Sequence, residues 1–170
     1  LCEVADKEGW ADDTIVVNVQ GDEPLLPPAL IREVAATLAA HPEAAVATLA
    51  TLFSTADDPA AATAVKVVRD QQGLALYFSR ALIPFVRDAG GFAAAFPYLR
   101  HIGIYAYRVA ALKRYPLLAA TPLEAAEKLE QLRFLEHGLR VAVGVVSEAP
   151  PPGVDCEADV RRVEALLGGV

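Results

Sequence analysis

The alternation of short apolar runs with helix-like segments is the feature that most constrains how this chain folds. Residues 14–19 (TIVVNV) are apolar at nearly every position, which is typical of a strand buried on both faces. Residues 29–40 follow as a predicted helix with an apolar stripe. The same reasoning predicts strands at residues 44–52, 65–70, 74–79, 102–107 and 139–146, and helices at residues 122–137 and 155–167. This order predicts an α/β fold with a mainly parallel, partly mixed central sheet flanked by helices.

Size and charge narrow the classes of protein to which the chain can belong. With 170 residues, of which 54% are hydrophobic, it is long enough to bury a core as one domain over residues 1–170. Its formal net charge of −7 is a poor electrostatic match to phosphate backbones, so we expect no nucleic-acid partner. Two cysteines cannot supply a disulfide framework.

Targeting signals and membrane segments are not predicted. No apolar run approaches the roughly 20 residues that a membrane helix needs, and no secretory signal pattern is present. We therefore expect a cytoplasmic chain without a membrane partner. The sequence contains no methionine and starts at Leu1 within a helix-like segment, so we also expect it to be part of a longer chain.

The turn after the first predicted strand is the most informative stretch. Residues 17–24 (VNVQGDEP) bring Gly21 and then Asp22 to the carboxyl end of a buried strand, where open α/β sheets bind their ligands. Asp22 suits Mg²⁺, a hard ion that prefers carboxylate oxygens and is often shared with substrate phosphates. A solvated turn, in which Asp and Pro simply favour the bend, explains the same residues equally well.

Six sequence blocks carry a resemblance to a known family. They are residues 17–24 (VNVQGDEP), 64–68 (AVKVV), 75–80 (ALYFSR) with Ile83-Pro84, 100–108 (RHIGIYAYR), 122–124 (PLE) with 129–133 (LEQLR), and 153–155 (GVD) with Asp159. In this order they resemble 3-deoxy-manno-octulosonate cytidylyltransferases, the CMP-Kdo synthetases. The blocks span essentially the whole chain, so the resemblance does not rest on one short motif.

The resemblance implies a Rossmann-like nucleotidyltransferase fold and a defined reaction. Members of that family transfer CMP from CTP to 3-deoxy-manno-octulosonate (Kdo), giving CMP-Kdo and pyrophosphate for lipopolysaccharide synthesis, and they are homodimers. By resemblance, Asp22 and Asp155 are the catalytic carboxylates that bind the cofactor Mg²⁺. From the residues alone, Asp155 is more readily explained as the N-cap of the last helix.

The resemblance also implies a set of substrate-binding residues. They are Gln20, Arg80, His101, Tyr105, Glu130 and Gln131. The planar guanidinium of Arg80 suits a sugar carboxylate. Without the resemblance, His101 is explained as a structural histidine and Glu130 as a solvated charge on the helix predicted at 122–137. Lys66 is open between an exposed edge position and a ligand contact.

One segment of the family is not seen in this sequence. The family begins with a strand, a glycine loop bearing Arg and Lys that holds the triphosphate, and a Ser-Gly-Thr segment, and the similarity starts just after them. We therefore expect this chain alone to be a poor or inactive catalyst. Two alternatives stay open, namely a cytidylyltransferase for another acidic sugar and a non-catalytic module that binds a sugar acid or dimerises.

Overall fold

In the computed structural model, the described residues are 1–54, 58–151, 153–154 and 156–168. Their helices are α1 (Cys2–Lys7), α2 (Pro28–Ala40), α3 (Val109–Arg114), α4 (Pro122–Glu127), α5 (Gln131–Glu136) and α6 (Glu157–Leu167). Their strands are β1 (Ile15–Asn18), β2 (Val46–Leu52), β3 (Lys66–Arg69), β4 (Ala75–Ser79), β5 (Leu99–Arg108) and β6 (Val141–Val146). None of these helices is long and apolar enough to cross a membrane.

The strands form one sheet in the order β4-β3-β5-β2-β6, with β1 paired beside β5. The α/β class with a mixed sheet is therefore confirmed. Strands β1, β2, β3 and β6 share one direction, but β5 runs against its neighbours β1, β2 and β3. Among the described strands, only β2 and β6 are hydrogen-bonded in parallel. The sequence predicts strand positions but not which strand becomes central, and here the central strand is the antiparallel β5.

Hydrophobic residues pack on both faces of the sheet. Along β2, Ala47 and Leu49 belong to one cluster, while Val46 and Ala50 belong to the other, as expected for side chains that alternate along a strand. The predicted buried stripe of α2 is confirmed: Leu30, Val34 and Leu38 belong to the first cluster. Residues of α3 and α5 complete the second, so helices flank the sheet on both sides.

The single helix predicted at residues 122–137 is wrong, because the segment forms α4 and α5 with a break between them. Lys128 ends α4 in the left-handed conformation, with φ at +55°. Glu127 explains the break. Its carboxylate accepts hydrogen bonds from Ser79 Oγ at 2.5 Å and from the Arg80 backbone N–H at 2.9 Å. These contacts with the end of β4 fix the turn that follows.

Lys66 occupies neither of the two environments considered from the sequence. Its side chain is 0% exposed, at the start of β3. Its Nζ donates hydrogen bonds to the carbonyl oxygens of Ala61 at 2.9 Å, Ala64 at 2.5 Å and Arg80 at 2.5 Å. Burial lowers the pKa of Lys66, while the charges of Glu127 and Asp58 act in the opposite direction. Lys66 thus ties the segment before β3 to the segment after β4.

His41 connects the end of α2 to the β3–β4 turn through both nitrogens of its ring. Its Nδ1 lies 2.8 Å from Thr37 O and its Nε2 lies 3.0 Å from Gln72 O. Both nitrogens can donate only when the ring is protonated. The Thr37 carbonyl chiefly raises the pKa of His41, against an opposing effect of burial. The charge of Glu43 also raises the pKa of His41, and the charge of Arg69 lowers it.

We expect His41→Gln to reduce the free energy of unfolding more at pH 6 than at pH 8. A folded-state pKa above the unfolded value of about 6.5 gives stability that is present below that value and lost as pH rises through the folded pKa. Urea unfolding of both proteins at the two pH values measures this. His137→Gln is the matched control, since His137 bonds one carbonyl, Ala119 O, at 3.0 Å. A His41→Gln effect that grows between pH 6 and pH 8 would contradict the assignment.

Candidate active site

A cavity of about 560 Å³ is lined by residues from three parts of the fold. They come from the end of β1, from β5, and from the segment between α4 and α5. This volume is within the roughly 300–1,000 Å³ of small-molecule sites. Five of the predicted substrate-binding residues line it, namely Gln20, His101, Tyr105, Glu130 and Gln131. They come from three separate segments, so the fold brings together residues that the sequence keeps up to 111 positions apart.

Strand β5 supplies one wall of the cavity through alternate positions. His101, Gly103, Tyr105 and Tyr107 all line it, as expected from the two-residue period of a strand. A Cβ built at Gly103 would meet no atom within 4 Å, so this glycine leaves open space in the wall. Burial raises the pKa of both Tyr105 and Tyr107, and their hydroxyls are therefore neutral donors at pH 7.

The segment between α4 and α5 supplies another part of the cavity wall, with Lys128, Leu129, Glu130 and Gln131. Gln131 is only 5% exposed, and its Nε2 has no hydrogen-bond partner among the described residues. Leaving such a buried donor unpaired costs roughly 1–3 kcal/mol. A buried donor of this kind in a cavity wall needs an acceptor from outside the described residues, and a ligand in the cavity is one source of it. This is the clearest chemical sign of a binding site in the structure.

His101 lines the cavity and contacts two aromatic rings. Its ring centroid lies 5.1 Å from that of Phe78 in an edge-on arrangement and 5.5 Å from that of Tyr105. Its Nε2 lies 2.9 Å from Oγ1 of Thr48. Burial lowers the pKa of His101 to about 4, so the imidazole is neutral at pH 7.

Asp22 lies outside this cavity, on the exposed turn that follows β1. Its carbonyl oxygen accepts a hydrogen bond from the Val154 backbone N–H at 2.7 Å. Gly153 approaches the same turn, since a Cβ built there would lie 2.9 Å from Asp22 O. The structure therefore joins the turn of Asp22 to the segment that immediately precedes Asp155 in the sequence. Asp155 itself lies outside the described residues.

No group of three or more His, Cys, Asp or Glu side chains within the described ranges is arranged to hold a metal. Mg²⁺ does not require such a group, because it is usually bound by one or two carboxylates together with waters and substrate phosphates. Asp22 supplies one carboxylate of this kind at the sheet edge. Asp22 is thus chemically suited to Mg²⁺, and its role as a ligand of that ion stays a prediction.

Arg80 is placed next to the cavity wall rather than in it. Its Nε donates to Glu127 O at 2.8 Å and its Nη1 donates to Ala62 O at 3.1 Å. Through Glu127, these bonds hold the turn at Lys128 that carries the cavity residues. The role of Arg80 as a substrate ligand stays a prediction.

Further polar residues that line the cavity and were not assigned a role from the sequence include Asn18, Tyr107, Tyr115 and Lys128. Tyr107 follows Tyr105 by two positions on a predicted strand, so the two lie on the same face of that strand. This spacing could have predicted that Tyr107 lines the same cavity as Tyr105. Asn18 ends β1 within the block at residues 17–24. Nothing in the sequence indicated that Lys128 lines the cavity, because the predicted helix at 122–137 is continuous through this residue.

Comparison with known proteins shows to which family the chain belongs. A family model described as "Cytidylyltransferase" matches residues 1–141. The chain belongs to the cytidylyltransferase family. A 3-deoxy-manno-octulosonate cytidylyltransferase of Dichelobacter nodosus (strain VCS1703A) is 63% identical over 167 residues, which cover 98% of this chain and 66% of that protein. The protein of the same description from Alkalilimnicola ehrlichii (strain ATCC BAA-1101 / DSM 17681 / MLHE-1) is 55% identical over 172 residues, with the same coverage.

One solved structure resembles this cytidylyltransferase in its fold as well as in its sequence. A CMP:2-keto-3-deoxy-manno-octonic acid synthetase, solved in complex with CTP, matches with a TM-score of 0.85 and 38% identity over 99% of this chain and 66% of that one. The predicted resemblance and the Rossmann-like nucleotidyltransferase fold are confirmed. The chain spans 66% of the length of the curated relatives it matches.

Proposed function

We propose that this cytidylyltransferase transfers CMP from CTP to Kdo, giving CMP-Kdo and pyrophosphate for lipopolysaccharide synthesis. The observation that carries the proposal is the cavity wall in which Nε2 of the buried Gln131 has no partner among the described residues. Kdo is a polyhydroxylated sugar acid, so its oxygens can supply the missing acceptor. The names of the two curated relatives support this choice of sugar.

The cavity residues suit a sugar acid in complementary ways. The Glu130 carboxylate accepts hydrogen bonds from sugar hydroxyls, while the Tyr105 hydroxyl and the Gln20 and Gln131 amides donate them. Lys128 adds a cation to the same cavity, which suits the carboxylate of the sugar. In this role the residues orient the anomeric hydroxyl for attack on the α-phosphorus of CTP, and the rate gain comes from positioning.

Magnesium dependence is part of the same proposal, with Asp22 and Asp155 as the protein ligands. When bound there, Mg²⁺ neutralises charge that develops on the phosphoryl oxygens. The Val154–Asp22 backbone hydrogen bond of 2.7 Å supports the pairing, because it ties the segment before Asp155 to the turn of Asp22. Asp22 and Asp155 are 133 positions apart in the sequence (155 − 22), so the ion would join two distant segments of the chain.

The proposal extends to a cytoplasmic protein that acts as a homodimer, with residues 1–170 as part of one sugar cytidylyltransferase domain. CTP is a cytoplasmic metabolite, which supports the location. The exposed phenylalanines Phe85, Phe92 and Phe96 lie on one loop and support a contact between two copies. The prediction that this chain alone turns over slowly or not at all belongs to the same proposal.

Replacing Gln131 by leucine is expected to raise the KM for Kdo by about tenfold to a hundredfold and leave the KM for CTP unchanged. The melting temperature should stay level or rise, because leucine removes an unpaired buried donor without leaving a large cavity. Steady-state kinetics of pyrophosphate release and thermal unfolding measure both effects, in the protein expressed from its complete reading frame.

Gln71→Leu, on the exposed β3–β4 turn, is the matched control and should change neither KM. A Gln131→Leu enzyme with an unchanged KM for Kdo would remove the main support for this cavity as the sugar site. An equal rise in both KM values would show that the substitution disturbs the whole active site rather than one subsite.

A further inference from the structure

Thr48 is a fully buried polar residue in the middle of the sheet, at an irregularity between β2 and β5. Thr48 pairs with Tyr105, but the next residue, Leu49, pairs with Ile102, so that Gly103 and Ile104 form a bulge in β5. A bulge disrupts the ladder of backbone hydrogen bonds locally. The Thr48 side chain compensates, since its Oγ1 lies 3.0 Å from Ile102 O and 2.8 Å from Ile104 O.

The same hydroxyl lies 2.9 Å from Nε2 of His101, and this contact fixes where the histidine carries its proton. A threonine hydroxyl has one hydrogen to donate, and two carbonyl oxygens that can only accept already face it. The hydrogen therefore points towards Ile102 O and Ile104 O. Since Oγ1 then offers only lone pairs to the ring, Nε2 must donate, and His101 carries its proton on Nε2.

With the proton on Nε2, Nδ1 of His101 is the nitrogen that can accept a hydrogen bond. Burial lowers the pKa of His101 to about 4, so the ring has only one proton at pH 7. No hydrogen bond from Nδ1 to another residue is found in the part of the chain that the structure describes. His101 lines the cavity together with Tyr105 and Gln131, whose hydroxyl and amide groups can donate hydrogen bonds.

We propose that Thr48 is a positioning residue of the sugar site, which holds His101 as the Nε2-protonated tautomer so that Nδ1 accepts a hydrogen bond from a sugar hydroxyl. The identity of the ligand rests on the proposed function, while the tautomer does not. The cavity then offers three kinds of group to a polyol: donors from Tyr105 and Gln131, the anionic acceptor Glu130, and a neutral acceptor in His101. A neutral acceptor adds no charge repulsion towards an acidic sugar.

Nitrogen NMR of the histidine rings tests the tautomer directly. In ¹⁵N-histidine-labelled protein from the complete reading frame, at pH 7, His101 is expected to show a protonated Nε2 and an unprotonated Nδ1. The signal is assigned by its loss in His101→Gln. Thr48→Ser, which keeps the hydroxyl, should preserve this pattern, and Thr48→Val, which lacks it, should shift the population towards protonated Nδ1. A protonated Nδ1 in the wild type would overturn the proposal, whether or not the protein turns over Kdo.

A double-mutant cycle separates positioning from general destabilisation. Thr48→Val is expected to raise the KM for Kdo about tenfold with an unchanged KM for CTP, and Thr48→Ser to stay within about twofold of wild type. In a His101→Ala background, Thr48→Val should add nothing. An equal effect in both backgrounds would overturn the positioning role. If Thr48→Val does not fold, the NMR spectra of the wild type and of Thr48→Ser still show which ring nitrogen of His101 is protonated. A protein that does not use Kdo refutes the proposed function, while the spectra still decide the tautomer.

Discussion

Replacing Asp22 by asparagine is expected to lower kcat/KM for pyrophosphate release by about a hundredfold to a thousandfold, as when one group that stabilises developing charge is removed. Asparagine keeps the size of the side chain and loses the negative charge that Mg²⁺ prefers. Because Asp22 is exposed, the substitution should leave the melting temperature within about 2 °C of wild type. Steady-state kinetics at several Mg²⁺ concentrations measure the loss, and it should be partly offset by raised Mg²⁺ if the residue is a metal ligand.

Asp13→Asn is the matched control for this prediction. Asp13 is also an exposed aspartate, but it precedes β1, whereas Asp22 follows the strand, so its replacement should leave kcat/KM unchanged. Asp155→Asn should reproduce the Asp22 result if both carboxylates serve one ion. Wild-type rates from the Asp22 variant, or undiminished wild-type turnover in EDTA, would contradict the magnesium assignment.

Replacing Lys66 by methionine is expected to lower the free energy of unfolding by about 3 kcal/mol or more, the largest stability effect predicted for this chain. Methionine fills a similar volume but removes the Nζ donor from the carbonyl oxygens of Ala61, Ala64 and Arg80, of which Ala61 O keeps a bond from the Ala64 N–H. The burial that lowers the pKa of Lys66 also keeps water from replacing it. Urea unfolding at pH 7 measures the change.

Lys7→Met tests whether any loss of a lysine has this effect. Lys7 is exposed at the end of α1, so its replacement should change the free energy of unfolding by less than about 0.5 kcal/mol. Similar values for the two variants would show that the buried hydrogen bonds of Lys66 contribute little. Because Lys66 also bonds Arg80 O, its loss should loosen the turn that Glu127 and Arg80 hold.

Much of the fold follows from local patterns that the sequence displays. The apolar run at 14–19 contains β1, the stripe of α2 is buried as predicted, and the hairpin of β3 and β4 turns at Gly73 with φ at +85°. These elements depend on side-chain periodicity and on one glycine, which any reader of the sequence can see.

The features that the sequence did not predict are fixed by contacts between distant segments. The break at Lys128 depends on bonds between Glu127 and the end of β4, 47 or more positions earlier. Lys66 is buried because carbonyls on either side of β3 and β4 converge on it. Neither arrangement leaves a glycine, a proline or a change of periodicity as a local signal, so the helix at 122–137 was predicted as continuous.

The candidate site shows the same division between local and tertiary information. Resemblance alone predicted five residues that the structure places around one cavity, and it included Arg80, whose guanidinium bonds backbone carbonyls beside that cavity. The structure was required to find that Gln131 Nε2 has no partner among the described residues and to propose a role for Thr48, because both depend on burial at a precise point of the fold. Chemistry between neighbours in space is what the sequence pattern does not contain.

The central claim is that this cytidylyltransferase uses Kdo, and product formation tests it most directly. Protein from the complete reading frame is incubated with CTP, Mg²⁺ and either Kdo or N-acetylneuraminate, and the sugar nucleotide and pyrophosphate are quantified. We expect CMP-Kdo and pyrophosphate in equal amounts, with kcat/KM for Kdo at least about a hundredfold above that for the other acidic sugar. Equal or greater turnover of N-acetylneuraminate, or no CMP-Kdo from a folded protein, would contradict the account.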